Sequence, residues 1–229
     1  VITYNRNGTL SFSKNATIDV MRAAKALYGT PTGRTQLRRM DQSDIKVKLS
    51  ISPESKTGRT VDGKLTQIYG KAVQGNFNES DNYARKVNSD GTYGITEASI
   101  IIYEGTIKGQ LEQGQGKHQG LTLEQAIGAV VAHEGVHATD KSEIHKDIKE
   151  EMTKYQVRED REVKPNAVER QIMKEYKIEN LRNIGIIGHS DSGKTALSEA
   201  LLYYTKTTDR LGTCEDGNTI SDYDQEEKK

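Results

Sequence analysis

The strongest apolar helical pattern in this chain runs from Thr122 to His137 and predicts a long helix with a buried face. Thr122 and Gln125 stand at the spacing of a capping box, which opens a helix. Apolar residues then recur at helical spacing, at Ala126, Ile127, Val130 and Val131. The pattern ends in H-E-x-x-H, and residues four apart lie on one helix face. His133 and His137 are therefore predicted to bind one metal ion.

Glu134 directly follows the first histidine, and this position gives the motif its chemistry. Its carboxylate can reach a metal-bound water and accept a proton from it. The motif thus predicts a zinc endopeptidase in which Glu134 is the general base of peptide hydrolysis. Three features favour this interpretation over two unrelated histidines on a helix: the helical context, a carboxylate-rich helix downstream, and the small flanking residues Gly135 and Ala138, which are expected to leave room for a substrate.

A catalytic zinc held by two histidines needs a third protein ligand. The candidates within reach along the sequence are Glu143, His145, Glu150, Glu151, Glu159 and Glu162. Glu151 is preferred because Glu151, Tyr155 and Glu159 follow one another at helical spacing on one face. Glu150 is the second choice and His145 the third. Tyr155 and His145 are also candidates to donate a hydrogen bond to the oxyanion, and Tyr155 is taken as the catalytic one.

Composition limits the remaining function classes. The 229 residues suit one medium domain or two small ones, and with 33% hydrophobic residues many must lie in loops or on solvated helices. The formal net charge is zero, so no global field favours nucleic acid or a membrane as partner. Cys214 is the sole cysteine, which excludes an intrachain disulfide. Neither a signal peptide nor a transmembrane segment is recognisable, so a cytoplasmic protein and a delivered effector both remain possible, and the oligomeric state stays open.

Periodicity and turn residues predict a mixture of helices and short strands. The predicted helices are 17–28, 34–40, 122–137, 146–162, 167–176 and 195–204, and the predicted strands are 45–51, 98–103 and 183–188. Residues 53–95 are predicted to be long loops with at most short strands, and the glycine-rich stretch 105–120 is predicted to be another loop. The expected fold class is α+β.

A second motif lies near the C-terminus, between a predicted strand and a predicted helix. Gly188 to Thr195 reads G-x-x-x-x-G-K-T, the phosphate-loop pattern in the context that makes it credible. Backbone N–H groups and the helix N-terminus would bind phosphate. The predicted nucleotide-binding residues are Gly188, Asp191, Ser192, Gly193, Lys194 and Thr195. Lys194 would contact the β- and γ-phosphates, and Thr195 would bind Mg²⁺.

The sequence around this loop resembles the first 57 or so residues of translation elongation factor G. The resemblance includes Tyr176 to His189 before the loop, and Glu199 to Thr205 and Glu215 to Thr219 after it. It implies Mg²⁺-GTP as cofactor. It ends before the switch threonine and before the D-x-x-G and N-K-x-D elements that such factors use, so the segment is expected to be incomplete for GTPase activity.

The stretch around H-E-x-x-H resembles effector and polymorphic-toxin zinc peptidases of bacteria. The resemblance spans roughly residues 15–170 and includes Leu27 to Arg34 and a downstream Glu-x-x-x-Tyr. It implies zincin-like helices packed on a short sheet and a protein substrate in a target cell. We therefore expect a metallopeptidase-like domain over 1–172 and a truncated β-P-loop-α segment over 173–229, in a chain that is a fusion or a fragment. The alternatives are a GTP-binding elongation-factor-like fragment, and a catalytically inactive binding module that keeps the histidines for structure.

Overall fold

The computed structural model describes residues 2–5, 9–60, 62–75, 85–154, 160–180, 186–189 and 192–220, without the side chains of 85–86, 150–154 and 179–180. The chain divides into two compact units, Val1–Leu181 and Arg182–Lys229. Among the described residues, no helix combines the length and the apolar character needed to cross a membrane.

The N-terminal unit mixes helices with short strands. Its strands are β1 (Ile2–Tyr4), β2 (Leu10–Phe12), β3 (Lys46–Ser52), β4 (Thr57–Arg59), β5 (Leu65–Gln67), β6 (Gly70–Gln74), β7 (Arg85–Val87), β8 (Tyr93–Ile95) and β9 (Glu97–Tyr103). Its helices are α1 (Ile18–Tyr28), α2 (Pro31–Asp41), α3 (Glu104–Glu112), α4 (Leu123–Thr139), α5 (Lys141–Lys154) and α6 (Val163–Asn180). The C-terminal unit contains α7 (Lys194–Tyr204).

A three-stranded sheet in the order β3–β9–β6 supports the N-terminal unit. The central strand β9 runs parallel to β3 and antiparallel to β6. Its side chains alternate in burial, and Ala98, Ile100 and Ile102 are fully buried on one face. This alternation is typical of a sheet with one face against the core.

Helix α4 lies at the centre of this core. Residues Ala126 to Ala138 are all buried, so the helix is covered on every side rather than along one stripe. It packs against α1, α2, α3, α5, α6 and the strands β6 and β9. Thr122 and Gln125 form the predicted capping box at its start. The histidines are therefore carried by the most enclosed helix of the unit.

The turn between α1 and α2 shows why the second helix begins at Pro31, three residues earlier than predicted. Thr30 caps α2 by accepting a hydrogen bond from the N–H of Gly33, and Pro31 occupies the first turn, where its missing N–H costs nothing. A Cβ at Gly33 would collide with the carbonyl oxygen of Leu27 and lie 2.7 Å from Thr30 Oγ1. Glycine therefore permits the close approach of the two helices.

Two predicted loops contain regular structure. Part of the stretch 105–120 forms α3, although glycines at 105 and 109 weaken its helical propensity. Gly105 is required there because a Cβ would lie against the backbone of Pro53 and Glu54. The region 53–95 contributes five short strands, β4 to β8, which carry too few alternating residues to be recognised from sequence.

The expected domain boundary at 172/173 falls inside α6. Pro165 lies in the first turn of this helix, where it is compatible with helical geometry, so α6 starts at Val163 rather than at the predicted residue 167. Tyr176 is buried, and its hydroxyl donates a hydrogen bond to the carbonyl of Ala26 on α1. Glu175 accepts hydrogen bonds from the N–H and hydroxyl of Thr32 at the start of α2. Residues 173–180 thus fold as part of the N-terminal unit.

Candidate functional sites

The phosphate-loop motif stands at the N-terminus of α7. Gly193 has a left-handed backbone with φ of +78° and directly precedes the first helical residue, Lys194. Lys194 Nζ donates hydrogen bonds to the carbonyl oxygens of Gly188 at 3.1 Å and His189 at 2.8 Å. The ammonium group is thus held over the loop, next to the positive end of the helix dipole. This arrangement concentrates positive charge where an anion would bind.

Glycine at 188 allows the loop to close on itself. A Cβ at Gly188 would lie 2.5 Å from Ser192 Oγ, so a larger residue would require the Ser192 side chain to move. Thr195 follows Lys194 within the first turn of α7, as the predicted Mg²⁺ ligand should. Of the predicted nucleotide-binding residues, Asp191 lies outside the described part of the chain. A strand is predicted over 183–188, but its described half, residues 186–188, does not form one. The side chain of Ile187 is 98% exposed.

A buried glutamate connects α7 to the segment that follows it. Glu199 is buried, and its Oε1 accepts a hydrogen bond from the N–H of Ile220 at 2.7 Å. Gly212 packs directly on this carboxylate, and a Cβ there would collide with Oε2. Glu199 therefore holds Gly212 and Ile220 against the helix that starts at the phosphate loop.

The N-terminal unit contains a cluster of potential metal ligands. His133, His137 and Glu162 each offer one ligand atom, and these atoms all lie within 4.8 Å of one another. His133 Nε2 lies 3.1 Å from Glu162 Oε2, and His137 Nε2 lies 3.4 Å from Glu162 Oε1. Both imidazoles are buried, whereas Glu162 is 58% exposed. Two ring nitrogens thus converge on one carboxylate at the edge of the core.

A polar network fixes the turn that carries Glu162. Arg161, the preceding residue, pairs with Asp147 on α5 at 3.4 Å. Asp147 also accepts a hydrogen bond from Gln74 Nε2 at 3.2 Å, and the same amide donates to the carbonyl oxygen of His137 at 2.8 Å. Strand β6 and helices α4 and α5 therefore jointly hold Glu162 opposite the histidines.

Burial and hydrogen bonding shift the pKa values in this cluster in opposite directions. Burial lowers the pKa of His133, but its hydrogen bonds to Glu162 and Glu169 outweigh burial and raise the pKa to about 9. The hydrogen bonds from both histidines hold the pKa of Glu162 well below its usual range. Burial raises the pKa of Glu134. The hydrogen bond between His133 and Glu162 therefore favours the charged form of each side chain.

The structure distinguishes among the candidate third ligands. The side chains of Glu150 and Glu151 and the whole of Tyr155 and Glu159 lie outside the described residues, so Glu151 and Tyr155 stay predictions. Two other candidates are engaged elsewhere. His145 Nδ1 accepts the N–H of Tyr93 at 2.9 Å, and Glu143 pairs with Lys146 at 3.2 Å. Glu162 was within sequence reach, but helical periodicity could not select it because it belongs to a turn before α6.

Two residues next to the histidines pack differently from the sequence-based expectation. Gly135 does not leave an open space, because a Cβ there would lie 2.7 Å from Met40 Sδ on α2. Glu134 is 7% exposed and lies under β6, where a Cβ at Gly70 would come within 2.9 Å of its carboxylate. These two positions therefore serve the close packing of α4.

The comparisons with known proteins concern the C-terminal part of the chain. Residues 179–229 match the family described as elongation factor Tu GTP binding domain. Elongation factor G of Dehalococcoides mccartyi is 47% identical over 55 residues, which is 24% of this chain and 8% of that protein. Elongation factor G of Petrotoga mobilis is 48% identical over 54 residues, again 24% and 8%. The mitochondrial ribosome-releasing factor 2 of Anopheles gambiae is 49% identical over 49 residues, 21% and 7%.

The chain spans less than a tenth of the length of these relatives. No solved structure matches it. The comparisons nevertheless support the predicted resemblance of Tyr176 to Thr219 to elongation factor G. They also support the prediction of a GTP-binding phosphate loop in this stretch.

These findings correct the main functional prediction. The prediction of a zinc metallopeptidase is wrong, since the matches are to elongation-factor GTP-binding sequences. A protein or peptide substrate and delivery as a toxin or effector fall with it, as does the role of Glu134 as general base. The H-E-x-x-H motif is the less specific of the two sequence patterns, because it fixes only three positions. The C-terminal match extends over about fifty residues. Zinc itself has no support from the comparisons.

Proposed function

We propose that the C-terminal unit binds the phosphate groups of Mg²⁺-GTP, as a segment of the elongation-factor GTP-binding type. The observation that carries this proposal is the phosphate-loop pattern at the start of α7, within the stretch that matches the family. Lys194 Nζ and the helix N-terminus supply the positive field, and the left-handed Gly193 supplies the loop geometry. Thr195 would hold Mg²⁺ between the phosphates. The proposal is supported by the relatives, which are named elongation factor G and ribosome-releasing factor 2.

Calorimetric titration of the purified chain with Mg²⁺-GTP tests this proposal. We expect Lys194→Met to weaken binding at least tenfold, because it removes the ammonium charge and keeps the length of the side chain. Lys206→Met is the matched control, since Lys206 is an exposed lysine beyond the other end of α7. Titration with Mg²⁺-ATP and with inorganic phosphate separates nucleotide recognition from phosphate recognition. Equal affinity for GTP and ATP would reject guanine specificity, and equal binding by wild type and Lys194→Met would reject the site.

We also propose that the N-terminal unit binds one divalent metal ion through His133, His137 and Glu162. The support is the convergence of two imidazole nitrogens and a carboxylate within 4.8 Å. Imidazole with one carboxylate suits zinc, cobalt and nickel better than magnesium or calcium, which prefer oxygen ligands. Metal binding at such a site requires the ligating imidazole nitrogens to be unprotonated, so the affinity should fall at acid pH.

Competition with a chromophoric chelator, run separately with Zn²⁺, Co²⁺ and Mg²⁺, tests the metal site. We expect Zn²⁺ and Co²⁺ to bind with one-to-one stoichiometry and Mg²⁺ to bind far more weakly. Glu162→Gln should lower the affinity for Zn²⁺, whereas Glu112→Gln, an exposed glutamate at the end of α3, should leave it unchanged. Binding of Zn²⁺ that is indifferent to Glu162→Gln and to His137→Gln would reject this set of ligands.

A further inference from the structure

Behind His133 lies a second carboxylate that the ligand set does not include. Glu169 on α6 is 1% exposed, which is rare for an ionised side chain unless it is fully hydrogen-bonded. Its Oε2 lies 3.1 Å from His133 Nδ1, on the side of the ring opposite to Glu162. The imidazole of His133 is thus held between two carboxylates that contact its two different nitrogens.

Glu169 is anchored by two more donors, both from the loop before α4. His118 Nε2 donates to Oε1 at 2.7 Å, and Lys117 Nζ donates to Oε2 at 2.7 Å. His118 is itself buried, and its ring stacks edge-on against Tyr69 with 4.9 Å between the centroids. The ammonium group of Lys117 lies 5.3 Å from the centre of the same tyrosine ring. Three donors from two chain segments therefore hold this carboxylate in one orientation.

The charge state of Glu169 follows from these contacts. The ammonium group of Lys117 lies 2.7 Å from Oε2, and a buried carboxylate that pairs with a lysine at this distance is ionised. An ionised carboxylate can only accept hydrogen bonds, so His133 must donate through Nδ1. A neutral imidazole with its proton on Nδ1 presents the lone pair of Nε2 on the other side. That nitrogen is the one that faces Glu162 and His137.

We infer that Glu169 is a positioning residue that fixes the tautomer and the ring orientation of His133, so that Nε2 is the metal-binding atom. This inference rests on the proposed metal site and concerns a residue that contacts one of the ligands. Glu169 does not touch the ion. It acts through His133, and Lys117 and His118 act through Glu169. Carboxylates in this position behind a ligating histidine also make the imidazole a more basic ligand.

The test compares two glutamates on the same helix. Glu169→Gln leaves a single acceptor oxygen for three donors and removes the negative charge. Glu175→Gln is the matched control, because Glu175 is also hydrogen-bonded on α6 but contacts Thr32 and Gln171 instead of the cluster. We expect Glu169→Gln to weaken the binding of Zn²⁺ about 10- to 100-fold. Glu175→Gln should bind Zn²⁺ as the wild type does, with each variant first shown by circular dichroism to be folded.

A second measurement uses only the wild-type chain and does not depend on the folding of a variant. In ¹⁵N-labelled protein loaded with Zn²⁺, long-range ¹H–¹⁵N spectra should show His133 protonated at Nδ1 and bound to the ion through Nε2. Coordination through Nδ1 of His133 would overturn the inference even though metal binding itself is retained. Unchanged affinity in folded Glu169→Gln would overturn it as well. A wild-type chain that binds neither Zn²⁺ nor Co²⁺ would reject the proposed metal site and the inference together.

Discussion

At the scale of single residues, Asp140 connects three helices of the N-terminal unit. It ends α4, its Oδ1 accepts the N–H of Glu143 in the first turn of α5, and its Oδ2 pairs with Lys164 of α6 at 2.6 Å. Asparagine at this position can still cap α5 but cannot pair with Lys164. We expect Asp140→Asn to lower the free energy of unfolding by about 1 kcal/mol at pH 7, since Lys164 is partly exposed.

This effect should depend on pH in a defined direction. Burial raises the pKa of Asp140, but the hydrogen bonds from Lys164 and from the Glu143 backbone lower it further, so the folded pKa lies below the unfolded value of about 3.9. The stabilisation is then complete above the unfolded pKa and is lost as the pH falls through the folded pKa. Urea unfolding of both proteins between pH 7 and pH 3.5 should give a difference that shrinks toward the acid end. A difference that stays constant over this range would contradict the charge pairing.

The residues of the metal cluster differ in how far the sequence could identify them. His133 and His137 are adjacent on a helix, so a local rule suffices to bring them together. Glu162 belongs to the segment just before α6, and nothing in the local pattern marks it among the surrounding glutamates. Glu169 carries still less local signal, because its role depends on donors from a loop about fifty residues earlier. Ligands that tertiary packing supplies cannot be read from periodicity.

At the scale of elements, the junction of α1 and α2 depends on one glycine. A side chain at Gly33 would collide with the end of α1, whereas Gly109 in α3 has open space where a Cβ would point. We expect Gly33→Ala to destabilise the protein by about 1–3 kcal/mol through overpacking. Gly109→Ala should instead stabilise it by about 0.5–1 kcal/mol, because alanine loses less backbone entropy in a helix. Thermal unfolding of the two variants against wild type checks both signs, and a loss of stability in Gly109→Ala would contradict the open space there.

Elements with a clear local signal were predicted well, and those governed by packing were not. The capping box at Thr122 and the apolar spacing after it predict the start of α4 to within one residue and its end to within two. Thr30 and Pro31 fall between the predicted helices 17–28 and 34–40, although a capping residue followed by proline also marks a helix start. Helix α3 was missed because its glycines are required by close approach to the backbone at Pro53 and Glu54, which is a tertiary effect.

At the scale of the whole molecule, the two units differ in how much apolar core they contain. Every buried hydrophobic side chain among the described residues lies between Ala23 and Tyr176, in the N-terminal unit. The described part of the C-terminal unit instead exposes large apolar side chains, including those of Ile187, Leu197 and Tyr204. The sequence showed the change of character after α6 through the phosphate-loop motif. It did not show that residues 173–180 complete the N-terminal core, because their resemblance to a different protein suggested a boundary before them.

This difference predicts unequal protection from hydrogen exchange. Backbone amides of α4 lie in the core and should exchange only through global opening of the N-terminal unit, whereas amides of α7 should exchange through smaller openings and therefore faster. Each ligand should slow exchange in its own unit, because binding stabilises the folded state of that unit.

Mg²⁺-GTP should slow exchange over 188–204, and Zn²⁺ should slow it over α4 and over 160–169. Mass spectrometry of peptides from the intact chain, with each ligand alone and with both, measures this directly. The Lys194→Met and Glu162→Gln variants should each lose only the protection given by their own ligand. Protection of α4 by GTP that Lys194→Met abolishes would contradict the assignment of one ligand to each unit.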